Sequence, residues 1–313
     1  MEKNNKIYLP IFGGLGNQLF IYALGRALIE KHHKEIIFDT SFYKDDNFIL
    51  EIEDLKVPYF KKTKHIFKID FKYIKYLQLF PNFLKKIFIN FLSGGIIKDI
   101  DFEKNIQLGN LGLKPFLGYN SEIFSNKKNQ NYYYGHWQSK FYFDNIKKIL
   151  QEDFLPKKKI TEKVDTINLP NIGSNNIMLH IRGDNFGGMS DMYMEAVTDE
   201  YYLNSINFFK DKYVDPFFLI FSDDILFAKK TLSKIDKKIN HKFINDYKLN
   251  SVEEFYLMTK FRNFIIPKST FSWWAAYLAI EKNKIILIPD NWFISKKDNT
   301  DQVTEEMIQI SYK

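Results

Sequence analysis

The feature that most constrains this chain is the regular alternation of its second half. Apolar runs of strand length at 176–182, 216–221, 242–244, 263–266 and 284–288 are separated by helix-length stretches with a 3.6-residue apolar period. Those stretches cover 199–212, the segment from the end of FSDD to about 233, 252–261 and 270–281. Repeated β–α units of this length fold into a parallel sheet covered by helices, because a parallel crossover needs a dozen or more residues and takes one hand. The fold class is therefore α/β, with doubly wound parallel sheets, and no internal repeat is visible.

The first half opens the same way. Residues 6–12, KIYLPIF, read as a strand that runs into GGLGNQ at 13–18, then a helix to about 31 and a second strand, EIIFD, at 35–39. Strand, glycine turn and helix N-terminus together make a place where backbone approaches a ligand closely, although the same turn is common architecture. From 45 to 131 the sequence is rich in Lys, Phe, Ile and Asn, and helices cannot be separated from loops. Residues 131–150, NYYYGHWQSKFYFDNIKKIL, give a short aromatic strand leading into a helix. There His136, Trp137 and Gln138 are candidates for an acceptor sugar pocket or, equally, for a core aromatic cluster. A polar, proline-flanked segment after 156 marks a boundary. The expected organisation is an N-terminal domain over 1–158, a linker over 159–173 and a C-terminal domain over 174–313.

Composition narrows the function. A chain of 313 residues that is 45% hydrophobic and 17% aromatic is globular and long enough for two domains. It has no cysteine, which excludes disulfides, thiolate metal sites and a cysteine nucleophile. A formal charge of +7 favours anionic partners. A nucleic-acid module would cluster arginine or lysine with stacking aromatics; here arginine is scarce and lysine reads as scattered, so no nucleic-acid partner is expected. No apolar run reaches the 18 or so residues of a membrane span. The nearest, 80–92, is interrupted by Lys85 and Lys86, and its pattern fits a helix packed in the core, with an amphipathic helix at a membrane surface as the other reading. A cytoplasmic location follows as the expectation, with room for peripheral contact at an anionic inner membrane face.

The chemistry concentrates where strands end. In MLHIRGDNF, 178–186, an apolar strand ends in His180, Arg182 and Asp184. Of the 45 basic residues only Arg26, Arg182 and Arg262 are arginine, so Arg182 answers a demand that lysine does not: a planar fork for phosphate or carboxylate, or else a salt bridge within the strand end. Two more strand ends carry polar groups, FSDD at 221–224 and PKSTFSWW at 267–274. In open α/β sheets ligands bind at such carboxyl ends. Ser269, Thr270, Phe271 and Ser272 fall at the N-cap and first turn of a helix, suited to a phosphate or to ordinary capping. Asp223 and Asp224 point to different sides of an extended chain and chelate one ion poorly, which leaves Asp223 for nucleoside hydrogen bonds and Asp224 for a helix cap. None of the six histidines pairs at i, i+2 or i, i+4, so no metal site is expected.

FGGLGNQLFIYALGRAL, GHWQSKFYF, LHIRGD, FSDD and LMTKFRNFIIPKSTFSWWAAYLA stand in the order seen in the bacterial α-1,2-fucosyltransferases, glycosyltransferase family 11, which the chain resembles from Phe12 to about Trp292. The resemblance implies a GT-B-like fold of two facing Rossmann-type domains. It also implies GDP-L-fucose as donor substrate, a galactoside acceptor, inversion in a single displacement and no required cofactor or metal. It places Arg182 on the diphosphate, with His180 beside it and Asn17 near the reaction centre. Gly14, Gly16 and Gln18 belong to the loop facing the donor. Asp223 meets the nucleoside, and Ser269, Thr270 and Ser272 meet phosphate or fucose. Ser222, Asp184 and Phe271 complete the candidate donor set. The chain departs from the family where LHIRGDNF lacks a second arginine near Gly183, and where Lys268 replaces an asparagine; Lys268 is read as restoring the missing charge. No carboxylate is assigned as base.

Overall fold

A computed structural model describes residues 6–43, 49–63, 81–92, 106–109, 112–115, 118–124, 132–133, 135–167, 175–183, 196–235, 238–293 and 300–311. The chain divides into two compact units, Met1–Phe154 and Leu155–Lys313.

In the first unit, β1 (Lys6–Pro10), α1 (Leu15–His32) and β2 (Glu35–Asp39) form a parallel βαβ unit, paired from Lys6 with Glu35 to Pro10 with Asp39. A short β3 (Lys62–Thr63) extends it beside β2. From Leu15 to Leu28 α1 is buried on almost every face, so it is a core helix rather than a surface one. Gly25 lets it approach the sheet: a Cβ there would lie 3.0–3.1 Å from Phe38, Ile36 and Leu9. Next come α2 (Asn82–Leu92), the antiparallel pair β4 (Ile106–Gly109) and β5 (Gly112–Pro115), and α3 (Lys147–Asp153). The Arg26 Nε lies 2.9 Å from Asp153 Oδ2, which also accepts from the Tyr22 hydroxyl at 2.9 Å, tying α3 to α1. Two expectations fail here. The helix expected in the core, α2, leaves Phe83, Ile87 and Phe91 exposed. Where an aromatic strand was expected near 131, the described residues show no named strand, only isolated bridge positions, with Tyr132 paired to Tyr8.

In the second unit, residues read as linker instead form α4 (Lys158–Asp165). Ile160 and Val164 give it only one apolar turn, and it is held by partners distant in sequence: Lys163 to Glu253 at 2.6 Å, and Asp165 to Lys260. The boundary accordingly falls near 154, ahead of the helix. There follow β6 (Asn176–His180), α5 (Asp199–Lys212), β7 (Phe217–Phe221), α6 (Ile225–Ile235), β8 (Asn240–Phe243), α7 (Ser251–Met258), β9 (Asn263–Ile265), α8 (Thr270–Leu278), β10 (Ile285–Pro289) and β11 (Met307–Ile310). All five pairings are parallel, in the order β11-β10-β9-β6-β7-β8. Counted along the chain this is 6-5-4-1-2-3, the strand order of a doubly wound Rossmann sheet. The order reverses between β6 and β9, and the crevice at their carboxyl ends is where such sheets hold ligands. Apart from β11, each strand was expected within about two residues. The protein is thus of the α/β, GT-B-like class, two Rossmann-type units with parallel sheets.

Candidate active site

The first strand of the second unit carries its polar residues directly to the crevice. Beyond His180 the Ile181 N–H still bonds to the Phe221 carbonyl at 2.9 Å, which keeps the chain extended as far as Arg182. Arg182 Nη1 then stands 3.1 Å from Asp223 Oδ2, just past the end of β7. The other carboxylate oxygen, Asp223 Oδ1, accepts the Gly183 N–H at 2.8 Å. A Cβ at Gly183 would lie 3.3 Å from that of Asp224, so at this position the backbone N–H is what the site uses. The Arg182 side chain is 30% exposed and its partner more so. The pair is thus open to the crevice, where a guanidinium can meet an anion.

The neighbouring carboxylate serves another element. Asp224 Oδ1 accepts from the Phe227 N–H at 2.9 Å and caps α6. The Ser222 hydroxyl is spent on the intervening turn, accepting from the Asp224 N–H at 3.0 Å and donating to the Asp224 carbonyl at 2.8 Å. Ser222 is therefore a turn residue here rather than a donor contact.

Across the switch point, β9 runs through Lys268 and Ser269 into α8. Ser269 holds the N-cap position with extended backbone, yet its side chain makes no cap hydrogen bond. The first-turn N–H groups consequently present a positive helix end without a capping oxygen. Thr270 and Phe271 are partly exposed there, whereas Lys268 is only 2% exposed. Ser272 is buried, and its hydroxyl lies 2.8 Å from His180 Nδ1, which joins β6 to α8. Ser272 thus positions the imidazole instead of reaching a ligand. Burial pushes the His180 pKa down to about 4; the Arg182 charge acts in the same direction and Asp223 against it. At neutral pH the ring is uncharged, a hydrogen-bonding and orienting group. Asp184 lies outside the described residues.

Two participants were not foreseen. The Tyr202 hydroxyl accepts the Arg182 backbone N–H at 3.4 Å. Glu254, in the first turn of α7, has its pKa pushed up to about 7 by burial and then by the Asp223 charge. In sequence it is indistinguishable from Glu253, which forms a capping box with Asn250. Both look like acids that a helix N-terminus favours.

The glycine loop of the first unit is built separately. Gly13 adopts φ 75°, and a Cβ on it would lie 2.7 Å from Asn17 Nδ2, so glycine is required. Gly14 opens α1 and faces open space, with no neighbouring atom within 4 Å of where a Cβ would stand, while Gly16 is buried inside the helix. Gln18 is fully buried. Its amide donates to the Gly13 and Ile49 carbonyls at 2.9 and 2.8 Å and accepts from the Ile52 N–H at 2.9 Å. It staples the loop to the 49–52 segment, which corrects its assignment to the donor. The partly exposed Asn17 accepts from Gln138 Nε2 at 3.0 Å, uniting residues from two motifs. His136 packs edge-on against Phe12 at 4.8 Å, and burial pushes its pKa down to about 4. Trp137 is fully buried and packs against Tyr142 at 5.9 Å, so it is a core aromatic and offers no face to a sugar. Among the described residues no three His, Asp or Glu side chains gather in a way that could hold a metal ion.

The chain is similar to several known proteins. A fucosyltransferase structure, NodZ from Bradyrhizobium, matches with a TM-score of 0.48 and 12% identity over 86% of this chain and 92% of that one. An Escherichia coli ADP-heptose lps heptosyltransferase II matches at 0.49 and 11% over 97% and 90%. In sequence the chain is 29% identical to an alpha-1,2-colitosyltransferase of Escherichia coli over 309 residues, 95% of this chain and 96% of that protein. It is 25% identical to the O-antigen biosynthesis glycosyltransferase WbnK of Escherichia coli, over 92% and 95% of the two. The model of glycosyl transferase family 11 matches residues 6–310, nearly the whole length and every motif described above, and the chain belongs to that family of glycosyltransferases.

Proposed function

We propose that the protein transfers L-fucose from GDP-L-fucose to a hydroxyl of a galactoside, with inversion and an α-1,2 linkage, without a required metal, in the synthesis of a surface glycan. The observation that carries this reading is the Arg182–Asp223 pair at the switch point of a Rossmann sheet, facing the same crevice as a helix N-terminus without a side-chain cap. Such a combination suits a nucleoside diphosphate: guanidinium and helix N–H groups for the phosphates, a carboxylate for ribose or base.

In the reaction an acceptor hydroxyl oxygen attacks C1 of the sugar, the bond from C1 to the phosphate oxygen breaks, GDP leaves with the electron pair, and the hydroxyl proton is released to solvent. Arg182 lowers the barrier by holding the charge that develops on the leaving phosphate, a contribution of about 3–4 kcal/mol for a directed donor of this kind. Neutral His180, pinned by Ser272, gives the crevice a fixed hydrogen-bonding edge. Asn17, held by Gln138, is the candidate polar group of the glycine loop.

A second reading has its own support. The relative at 29% identity is named for colitose, which differs from fucose in lacking the 3-hydroxyl. A pocket that hydrogen-bonds that hydroxyl rejects the deoxy sugar strongly, whereas one that does not barely discriminates. The deciding experiment incubates the protein with GDP-fucose, GDP-colitose or GDP-mannose, with galactose-terminated acceptors, with and without EDTA. GDP release is followed and the product linkage read by NMR. Release from GDP-fucose with a new α-1,2 bond is expected; turnover with GDP-colitose alone would establish the second reading, and no turnover with any GDP-sugar would refute both.

A further inference from the structure

The helix α2 is amphipathic in sequence, NFLKKIFINFL, yet four of its large apolar side chains are exposed. Phe83 is 64% exposed, Ile87 60% and Phe91 66%, with Phe88 at 39%. Residues 83, 87 and 91 are spaced by four and share one face of the helix. A strip of this kind marks an interaction surface.

The charge distribution of the chain says what covers it. Residues 56–98 contain ten lysines and one acid, Asp70, and so carry a net charge of +9. The whole chain carries +7, which leaves the other 270 residues at −2. Lys61 and Lys62 pair with Glu35 and Glu53 outside this stretch, but within it the run from 64 to 98, which contains the helix, has seven lysines and one acid. A second copy of the protein would bring two such stretches together against their mutual repulsion. A nucleic acid would suit the charge but gains little from an aliphatic residue such as Ile87, since it binds aromatic side chains by stacking. A bilayer surface rich in anionic lipid suits both features. Apolar side chains enter the boundary between headgroups and acyl chains while lysines meet the negative surface.

We propose that α2 is a membrane-docking element that lies in the plane of an anionic bilayer with Phe83, Ile87 and Phe91 inserted. The inference is independent of the sugar donor, because α2 contains none of the residues assigned to the site, so vesicle binding and transfer can fail separately.

The test is sedimentation of the full-length protein with vesicles of phosphatidylcholine alone or with a quarter phosphatidylglycerol. Binding is expected with the anionic vesicles, falling steeply as salt rises. Replacing Phe83, Ile87 and Phe91 together by serine should weaken it by at least about tenfold, since each loses an inserted apolar group. Lys85→Gln with Lys86→Gln should weaken binding to anionic vesicles only. A single Phe83→Trp reporter, with the other helix residues intact, should shift its emission to the blue on binding and be quenched by brominated acyl chains. No sedimentation with anionic vesicles overturns the proposal. So does undiminished binding by the triple-serine protein, an unshifted reporter, or tighter binding to poly(dT) than to vesicles. A self-associated wild type that the serines render monomeric would assign the face to a second copy instead.

Discussion

Arg182 contacts Asp223 at the mouth of the crevice, and Arg26 bridges Asp153 and Glu30 inside the first unit. Arg26 uses two nitrogens of its guanidinium on two partners, as one ammonium cannot, and the same fork at Arg182 suits Asp223 together with an anion. Arg182→Lys keeps the charge but cannot engage Asp223 and a diphosphate at once. Its kcat should fall by roughly a hundredfold with a smaller change in donor affinity; steady-state kinetics at saturating acceptor would check this, and near wild-type turnover would remove Arg182 from the reaction. Glu254 gives a pH dependence of a different origin. As pH rises through about 7 it loses its proton beside Asp223 and adds a negative charge near the anion site. Donor affinity should weaken over that range, and Glu254→Gln should flatten the profile in calorimetric titrations at pH 6 to 8. His180 bears on stability. Its folded pKa of about 4 lies below the ordinary 6.5, so the unfolded chain takes up a proton first. The contribution is complete above about pH 6.5 and is lost as pH falls through 4, amounting to about 3 kcal/mol. Urea unfolding at pH 7 and 4.5 should show a smaller acid loss for His180→Asn than for the wild type. Arginine rarity and strand-end position made Arg182 and His180 legible in the sequence. Nothing local separated Glu254 from Glu253, because only the fold decides which of them faces Asp223.

Elements were legible where their own pattern determined them. Strands β6, β7, β9 and β10 are apolar runs buried by helices on both sides, and the helices between them carry a clear period. Those defined by distant partners were not. Helix α4 has the polar composition of a linker and is held chiefly from outside, by Glu253 and Lys260. Strand β11 is four residues at a sheet edge and, among the described residues, pairs with β10 alone. Gln18 read as a ligand contact because glycine loops so often face ligands, whereas its amide closes the loop on residues 49 and 52. The docking of α4 rests on Glu253, which completes the capping box of α7 and receives Lys163. Glu253→Ala should cost about 1–2 kcal/mol, with the cap the larger part because Lys163 is half exposed. Lys163→Ala should cost under about 1 kcal/mol in the same denaturant titration, and equal losses would show that the ion pair dominates.

At the scale of the molecule, the alternation of β and α predicted a doubly wound sheet, but the order 6-5-4-1-2-3 is set by which strand edges pair and is not written in any segment. That order puts His180, Arg182, Asp223 and the N-terminus of α8 around one crevice of the second unit, although they come from three separate stretches of chain. A nucleotide bound there stabilises that unit by mass action, by about 2.7 kcal/mol at a hundredfold excess over Kd. Core amides of the second unit that exchange only through its unfolding should then slow by about a hundredfold with GDP. The sensitive positions are the carboxyl-end residues 179–183 and 219–224 and the first turn of α8. Amides of β1 and α1, in the first unit with a core of its own, serve as the internal reference and should exchange as before. Protection by GDP confined to residues 13–18, with β6 and β7 unchanged, would move the nucleotide to the glycine loop and leave the Arg182–Asp223 pair a structural one.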